Sequence, residues 1–335
     1  MSETATRVLT LADAQDLVAR ALVANRTSGP NAGSVARALV LAEADGQVGH
    51  GFSRLASYAA QARSGKVDGE AVPDARHTAP AVVTVDARHG FAYPALDLAV
   101  EMLTPLARSQ GVALAGLRRS HHCGAVSLVV ERFATAGLVG LMVANTPSAI
   151  APWGGRRALF GTNPIGCAFP YPGHAPVVVD LSLSKVARGR ILAARQRGEP
   201  IPRDWALDAS GEPTADPEAA LAGTMLPMGD AKGAALALIV EALAAGLTGA
   251  RFAFEATSFL DADGPPPGTG QLLIAIDPEM LGGERVLDHL AGLFAAVEDE
   301  DGARLPGSRR LALRRRAEIE GLKVPDSVFD LAGAG

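Results

Sequence analysis

The first part of the chain has the apolar periodicity of amphipathic helices. Thr10 and Asp13 form a capping-box pattern, and apolar residues follow them at helical spacing, which predicts a helix over about 11–24. Two further helices are predicted over about 31–45 and 53–64, because Gly or Pro interrupts the periodicity on either side of each. We therefore expect a helical N-terminal part.

The pattern changes after about residue 75, where the β-branched run AVVTVDARHG predicts the first strand. From there apolar stretches typical of strands (VALAGL, GLMVAN, PVVVDLS and QLLIAIDP) alternate with helical stretches over about 94–109, 125–136 and 233–247. The segment over about 188–230 is rich in Gly, Pro and Asp and is predicted to be a long, irregular, functional loop. This alternation is typical of an α/β fold.

Helical periodicity returns over about 284–297, and the basic run RRLALRRRAEIE then leads to a C-terminal helix. The simplest interpretation of this charge run is a solvated helix face. We predict two structural parts. A helical part is formed by residues 1–75 packed with 284–335, and an α/β domain that binds the cofactor spans 76–283.

Composition and charge exclude several classes of function. The 335 residues are 48% hydrophobic, with 31 Lys+Arg against 36 Asp+Glu and a net charge of −5, so we expect neither a nucleic acid nor an anionic membrane as partner. No apolar run approaches the roughly 20 residues of a membrane span. The start lacks the order of a signal peptide, so we expect a cytoplasmic protein. Cys123 and Cys167 lie in unlike contexts and are expected to be reduced.

Several standard catalytic motifs do not occur in the sequence: GxGxxG after a strand, GxxxxGK[ST], GxSxG and HExxH. A Rossmann dinucleotide enzyme, a P-loop NTPase, an α/β-hydrolase and a zincin metalloprotease are therefore not favoured. The candidate chemistry lies instead in dense polar motifs between the predicted elements.

The first polar motif is Gly49-His50-Gly51, with Arg54 at the start of a predicted helix. If the following residues are helical, His50 and Arg54 lie one turn apart on one face. A histidine beside a guanidinium suits a site that protonates a carbonyl oxygen or imine while a carboxylate is held bidentately. The alternative interpretation is a helix-capping histidine and a surface arginine.

The second motif is Ser120-His121-His122-Cys123-Gly124, between a predicted strand and a helix, where backbone N–H groups can meet an anion. Adjacent His-His-Cys side chains rarely converge on one metal, and the sequence offers no fourth ligand at a recognisable spacing. A proton-transfer or cofactor-contact role is therefore favoured over a metal site. Hydrogen-bonded polar residues at the end of a strand are the alternative.

Four further polar stretches lie later in the predicted α/β body. The stretches APWGGR and FGTNP are rich in Gly and Pro and build rigid turns that expose the Thr162 hydroxyl. Asp180 begins DLSLSKVARGR. Lys232 and Gly233 open a helix in PMGDAKG, which is a suitable position for cofactor phosphate. Taken singly, each motif is also compatible with a structural turn.

Together and in this order, the motifs resemble the malate/L-lactate dehydrogenase family of NAD(P)-dependent oxidoreductases that lack the Rossmann fold. The resemblance extends over about residues 10–310 and rests on ADGQVGHGFSRLASY, SHHCG, APWGG, FGTNP, VVDLSLSKVARGR, WALDASGEPTADP, PMGDAKG and TGQLLIAIDP. It implies an α/β fold in which helical N- and C-terminal parts pack around a mixed-sheet cofactor domain. It also implies a homodimer and NAD or NADP as cofactor.

The resemblance further implies roles for individual residues. His50 is the expected proton donor or acceptor, and His122 is expected at the nicotinamide and the substrate. The residues expected to bind substrate are Arg54, Thr162, Arg188, Gly189 and Arg190. The residues expected to contact the cofactor are His122, Asp180, Ser182, Lys232, Arg309 and Arg310. No metal is expected.

Three positions depart from the family pattern. Gly49 stands where members usually have a serine that orients the catalytic imidazole, so another group or water must orient His50. Arg190 stands where reductases of cyclic imino acids typically have a carboxylate, which favours an anionic substrate with a second negative group. Asp45 stands where many malate and lactate enzymes have arginine, which favours the opposite conclusion.

The leading hypothesis is reversible hydride transfer between a 2-hydroxy acid and its 2-oxo acid, with a malate-, lactate- or sulfolactate-like substrate. His50 would exchange the oxygen-bound proton, Arg54 would hold the carboxylate and His122 would polarise the oxygen. The alternative within the family is reduction of a cyclic imino acid such as piperideine-2-carboxylate or pyrroline-2-carboxylate. A third, less favoured hypothesis is a nicotinamide-binding protein without catalysis. The choice between NAD and NADP stays open, because no glycine fingerprint marks the ribose contact.

Overall fold

Local sequence signals begin the first two helices. In the computed structural model, the Thr10 hydroxyl accepts a hydrogen bond from the Asp13 backbone N–H (3.1 Å) and starts the helix Leu11–Val23. Pro30 lies in the first turn of the helix Gly29–Ala44, where its missing N–H leaves no carbonyl unpaired. The helices predicted over about 11–24 and 31–45 are therefore confirmed, and the third predicted helix, over about 53–64, corresponds to Leu55–Ser64.

The structure describes residues 6–333. The helices are α1 (Leu11–Val23), α2 (Gly29–Ala44), α3 (Leu55–Ser64), α4 (Ala92–Gln110), α5 (Ser127–Thr135), α6 (Arg188–Arg197), α7 (Pro217–Ala222), α8 (Asp230–Glu241), α9 (Pro278–Gly282), α10 (Val286–Glu298), α11 (Ser308–Glu320) and α12 (Asp326–Leu331). The strands are β1 (Thr6–Leu9), β2 (Asp74–Ala79), β3 (Val82–Asp86), β4 (Val112–Ser120), β5 (Val139–Ala144), β6 (Ile165–Phe169), β7 (Val177–Leu181), β8 (Ala206–Leu207), β9 (Thr224–Met225), β10 (Thr269–Ile276) and β11 (Leu322–Pro325). Short 3-10 turns lie at Val48–His50 and Phe52–Arg54, and a π-turn lies at Ala242–Gly246.

Within residues 6–333, seven strands form one mixed sheet in the order β2-β3-β4-β10-β5-β6-β7. β3 and β4 are parallel and are joined by α4, whereas the other neighbouring strands are antiparallel. The central strand β10 is buried along most of its length, as expected for a sheet covered on both faces. The α/β fold with a mixed sheet is confirmed.

Apolar layers cover both faces of this sheet, and a further core joins the two ends of the chain. On one face α4 and α5 pack in a cluster that includes Leu103 and Phe133. In the further core, α1 to α3 pack with Val324 and Phe329 of the C-terminal segment, and β1 pairs with β11. The division of the chain at residues 75 and 284 stays a prediction.

The prediction of an irregular loop over about 188–230 is wrong. The segment contains α6, α7 and the strand pair β8–β9, because its glycines and prolines end and begin elements instead of replacing them. Gly198 ends α6 in the left-handed conformation, and Pro217 opens α7. β1 and β2 were not predicted, because their mostly exposed residues carry no apolar alternation.

The solvated helix face predicted for RRLALRRRAEIE is present, but two arginines of the run, Arg310 and Arg314, are not part of it. Arg310 Nη1 donates to Asp45 Oδ2 (2.7 Å) and Arg314 Nε donates to Asp45 Oδ1 (2.6 Å). Both arginines also bond the Glu131 carboxylate. The Asp45 side chain is 0% exposed, so these charges form a buried network that ties α11 to the end of α2 and to α5. Its partners are up to 269 residues apart, beyond the reach of helical periodicity.

None of the helices between residues 6 and 333 is long and apolar enough to span a membrane. Cys123 and Cys167 are both free thiols, and Cys123 is buried. In the same part of the chain, no cluster of three or more His, Cys, Asp or Glu side chains has the arrangement of a metal site.

We expect Asp45→Asn to lower the free energy of unfolding by about 3 kcal/mol, because it leaves two buried guanidiniums with one carboxylate between them. Chemical denaturation followed by circular dichroism measures this loss. The control is Arg316→Gln, which breaks an exposed pair with Glu320 and should cost about 0.5 kcal/mol or less. Equal losses in the two variants would show that the network stabilises no more than a surface pair does.

Candidate active site

Two histidines from distant segments meet at one point. His50 ends the 3-10 turn that follows α2, and His122 is the second residue after β4. Their rings stack with centroids 5.2 Å apart and planes inclined by 12°. The fold therefore brings together the two histidine motifs that the sequence analysis singled out.

Burial keeps both imidazoles neutral. Burial and the nearby Arg54 charge lower the pKa of His50 to about 4, although the Asp180 carboxylate acts in the opposite direction. The same causes, burial first and Arg54 second, hold the pKa of His122 well below its ordinary value. Two neutral rings are therefore available at neutral pH, and each can accept or donate a hydrogen bond.

Arg54 supplies a positive charge that acts on both histidines. Its Nε donates to the Gly49 carbonyl (2.6 Å), which holds the stem of the side chain. The guanidinium is half-buried and has no carboxylate partner among residues 6–333. A cation without a counter-ion, beside two neutral imidazoles, is a suitable place for the carboxylate of a ligand.

Two tyrosines that the sequence analysis missed support His122. Tyr58 Oη shares a hydrogen bond of 2.5 Å with His122 Nδ1, and Tyr93 Oη lies 3.0 Å from Tyr58 Oη. Tyr58 lies in α3, one turn after Arg54, and this i, i+4 spacing was the available signal. Tyr93 lies in α4 and has no comparable signal.

The loop before β10 covers the histidines. Phe259 packs its ring 5.2 Å from the rings of His121 and His122, measured between centroids. Gln61 Nε2 donates to the Phe259 carbonyl (2.9 Å), while its Oε1 lies 2.8 Å from His121 Nε2. Because this contact needs N–H donation from the ring, His121 is held as the Nε2–H tautomer and has a structural position under the loop. Neither Gln61 nor Phe259 was expected from the sequence.

A cavity of about 590 Å³ lies between the end of α2, Asp180 and the start of α11, and its link to the histidines is the Asp180 carboxylate, which acts on the pKa of His50. Asp180 forms part of its wall, and its Oδ2 accepts from the Ser127 N–H (3.0 Å) and from Gln47 Nε2 (3.2 Å). Arg304 and Arg309 add exposed positive charge at the start of α11. The volume, the basic groups and the helix N-terminus fit part of a phosphorylated dinucleotide, so Asp180 and Arg309 are suitably placed for the predicted cofactor contacts.

A series of polar contacts connects Thr162 with the start of α6. Thr162 Oγ1 pairs with Thr146 Oγ1 (3.2 Å), and Ser182 Oγ donates to the Thr162 carbonyl (3.3 Å). Ser182 also pairs with Ser184 (2.8 Å), which bonds the Val186 carbonyl. These contacts place Thr162 and Ser182 in one polar wall that leads along the chain to α6.

Arg188 opens α6 as a half-buried cation without a carboxylate partner in the described part of the chain. Its Nε is buried and makes no hydrogen bond there. Burial alone lowers its pKa. Since unpaired charge is costly to bury, this guanidinium is a second candidate for an anionic ligand.

Other predicted site residues are less well placed. Gly189, Arg190 and Lys232 are exposed, and no ion pair joins Arg190 or Lys232 to another residue between 6 and 333. Arg310 borders the cavity, but its guanidinium is bonded to Asp45 and Glu131. Its role in cofactor binding stays a prediction, and its observed contacts are structural.

The structure explains two of the three departures from the family pattern. His50 Nδ1 is buried and has no hydrogen-bond partner among residues 6–333, as expected where Gly49 supplies no hydroxyl. Asp45 faces Arg310 and Arg314 in the buried network. Asp45 therefore gives no information about the substrate.

Comparison with known proteins identifies the class to which this fold and site belong. The model of the malate/L-lactate dehydrogenase family matches residues 9–331. The chain belongs to this family, and the predicted enzyme class, an NAD(P)-dependent dehydrogenase, is confirmed.

Two curated relatives cover nearly the whole chain. A (2R)-3-sulfolactate dehydrogenase (NADP(+)) of Chromohalobacter salexigens is 50% identical over 325 residues, which is 97% of this chain and 96% of that protein. A Δ1-pyrroline-2-carboxylate/Δ1-piperideine-2-carboxylate reductase of Pseudomonas aeruginosa is 39% identical over 322 residues, 96% of each chain.

Two solved structures have the same fold. The Δ1-piperideine-2-carboxylate reductase of Pseudomonas syringae pv. tomato matches with a TM-score of 0.93 and 39% identity, covering 98% of this chain and 100% of that one. The sulfolactate dehydrogenase of Methanocaldococcus jannaschii matches with a TM-score of 0.88 and 26% identity, covering 97% and 95%.

We expect Arg54→Met to raise the pKa of His50 above about 4 and to leave it below the ordinary value of 6.5, because burial persists when the neighbouring charge is removed. NMR titration of the histidine ring protons measures the change. The control Arg76→Met removes an exposed charge from β2 and should leave the titration unchanged. An unchanged pKa in Arg54→Met would show that Arg54 does not repel the imidazolium.

We expect Gly49→Ser to change the free energy of unfolding by about 0.5 kcal/mol or less, because a Cβ there contacts no atom within 4 Å. Gly51→Ser is the matched comparison. A Cβ at Gly51 would lie 2.0 Å from Glu43 Oε2, which accepts from the Phe52 N–H, so we expect a loss of about 1–3 kcal/mol. Thermal and chemical unfolding measure both variants. A large loss in Gly49→Ser would contradict the open space beside His50.

Proposed function

We propose that this protein is an NADP-dependent oxidoreductase that interconverts a 2-hydroxy acid and its 2-oxo acid, and that the substrate carries a second anionic group, as 3-sulfolactate does. The observation that carries the proposal is the pair of half-buried arginines, Arg54 and Arg188, which have no carboxylate partner among residues 6–333. The 50% identity to an NADP-dependent sulfolactate dehydrogenase supports it.

Charge balance favours a dianion over a monoanion. A guanidinium that is partly removed from water is stabilised by an anion in hydrogen-bond contact. The C1 carboxylate would neutralise Arg54, and a sulfonate or carboxylate on C3 would neutralise Arg188. Arg190, which the sequence analysis favoured for this second group, is exposed and already solvated.

The two histidines would divide the work at the C2 oxygen. In the oxidation direction, His50 would accept the hydroxyl proton. A neutral imidazole can do so, and His50 is neutral at pH values above its pKa of about 4. His122 would donate a hydrogen bond to the same oxygen, and Arg54 would hold the C1 carboxylate and thereby fix the orientation of C2. The nicotinamide supplies the chemistry of hydride exchange at C2. In the reduction direction, His50 returns the proton, since the bound dianion raises its pKa.

The cofactor would lie in the cavity bordered by Asp180. Arg304 and Arg309 would meet its phosphates, and the start of α11 would add the positive end of a helix dipole. Ser182, His122 and Lys232 would be further contacts. Thr162 and Gly189 would border the substrate.

The second candidate function is reduction of a cyclic imino acid. The TM-score of 0.93 to a Δ1-piperideine-2-carboxylate reductase favours it. Such a substrate has one carboxylate, which can neutralise Arg54 and leaves Arg188 without a partner. The charge balance therefore ranks this function second.

We also propose a homodimer in the cytoplasm. The family resemblance supports the dimer, as do the exposed Leu236, Leu238 and Ile239, which form an apolar face on α8. Light scattering on the purified protein tests the oligomeric state.

The function is tested by following oxidation of NADPH and NADH with sulfopyruvate, oxaloacetate, pyruvate, Δ1-piperideine-2-carboxylate and Δ1-pyrroline-2-carboxylate. We expect the highest kcat/KM with NADPH and a dianionic 2-oxo acid. A preference for a cyclic imine would establish the second candidate instead, and no turnover of any compound would favour a binding protein.

Arg188→Met and Arg190→Met distinguish the two arginines. We expect Arg188→Met to lower kcat/KM for sulfopyruvate by roughly 10- to 100-fold, because a charge-assisted hydrogen bond is lost. Its effect on pyruvate should be small, since pyruvate has no second anionic group. Arg190→Met should leave both values unchanged. Equal losses for sulfopyruvate and pyruvate in Arg188→Met would contradict the assignment of the second anion.

A further inference from the structure

A chain of hydroxyl groups leads from the core to His122. Tyr93 Oη lies 3.0 Å from Tyr58 Oη, which lies 2.5 Å from His122 Nδ1. Tyr58 is 0% exposed, and Tyr93 and His122 are each 6% exposed. The three side chains come from α3, α4 and the segment after β4, so tertiary packing alone creates the chain.

Hydrogen-bond accounting sets the direction of this chain. If His122 Nδ1–H donated to Tyr58, then Tyr58 would donate to Tyr93, and the Tyr93 proton would be left without an acceptor among residues 6–333. A buried donor without an acceptor is costly. In the opposite direction Tyr93 donates to Tyr58 and Tyr58 donates to His122 Nδ1, so that both hydroxyl protons are used.

Burial keeps both tyrosines protonated and able to donate. It raises the pKa of Tyr58 and the pKa of Tyr93 above the ordinary value of 10. The rings of Phe91 and His121 pack against Tyr58 with centroids 5.4 and 5.6 Å away, which restricts its orientation. Gly124 leaves space for the Tyr93 hydroxyl, because a Cβ there would lie 2.6 Å from Tyr93 Oη.

We propose that Tyr58 and Tyr93 are positioning residues that hold His122 as the Nε2–H tautomer, so that His122 donates a hydrogen bond to the reacting oxygen and His50 alone exchanges the proton. Because Nδ1 accepts from Tyr58, the one ring proton lies on Nε2. The division of labour between the two stacked histidines then follows from their partners. His122 has a donor on Nδ1, whereas His50 Nδ1 has no partner in the described residues. The inference rests on the proposed function, which places His122 at the reacting oxygen.

The tautomer can be measured without turnover. We expect two-bond ¹H–¹⁵N correlation spectra of the cofactor-free wild-type protein to show His122 as a neutral ring with the proton on Nε2. Comparison with His122→Asn assigns the signal among the seven histidines. A proton on Nδ1 would overturn the proposal, whatever the substrate of the enzyme proves to be.

The variants Tyr58→Phe and Tyr93→Phe test the consequence for catalysis. We expect Tyr58→Phe to lower kcat by roughly 10- to 100-fold with little change in KM for the cofactor, because His122 Nδ1 loses its donor and the tautomers mix. Tyr93→Phe should have a smaller effect in the same direction, since it removes the donor to Tyr58 only. The control Tyr171→Phe removes the hydroxyl that bonds Glu298 and should leave kcat unchanged.

The spectra and the kinetics must agree. A lower kcat with an unchanged His122 tautomer in Tyr58→Phe would overturn the proposal, because the loss would then come from general destabilisation. Unchanged kcat with a mixed tautomer would also overturn it. If Tyr58→Phe does not fold, the wild-type spectrum and Tyr93→Phe still decide the outcome. A wild-type protein that is inactive on every tested acid but has the Nε2–H tautomer would refute the proposed function and leave the hydrogen-bond assignment intact.

Discussion

The arrangement of this protein depends on a buried ion network in which Asp45 and Glu131 bind Arg310 and Arg314. Charges removed from water must be matched closely, so the network allows little freedom in how α11 meets α2 and α5. The same contact builds one wall of the cavity beside Asp180. The chain also turns from the end of α2 directly into the segment of His50. The cavity and the histidine pair therefore share a support made by both ends of the chain.

The arginines of the ion network and the two arginines of the candidate site differ in whether they have carboxylate partners among residues 6–333. Arg310 and Arg314 are each bonded to the carboxylates of Asp45 and Glu131. Arg54 is half-buried beside neutral histidines, and Arg188 has a buried Nε without a hydrogen bond in the described residues. An imbalance of this kind costs stability unless a ligand corrects it. Under the proposed function, the anionic substrate supplies the missing partners.

How well the sequence predicted a feature depended on how far apart in the sequence the interacting residues lie. Helices with local signals were predicted well, as the cap at Thr10 shows. Edge strands such as β2 were missed, because their exposed residues lack alternation. The motifs identified His50, Arg54 and His122 as candidates. They did not identify Tyr58 and Tyr93, since a tyrosine on the buried face of a helix has the same pattern as a core residue whether or not its hydroxyl has a partner.

The sequence alone determined the α/β class, the N-terminal helices and the family, because these depend on local periodicity and on motifs that are contiguous in the chain. Tertiary structure decided which side chains pair. It placed Arg310 on Asp45 instead of in solvent, left Arg188 Nε without a hydrogen bond among residues 6–333, and joined Tyr58 to His122. The physical reason is that hydrogen bonds and ion pairs depend on distances of about 3 Å between atoms far apart in the sequence, and only the packed chain establishes those distances.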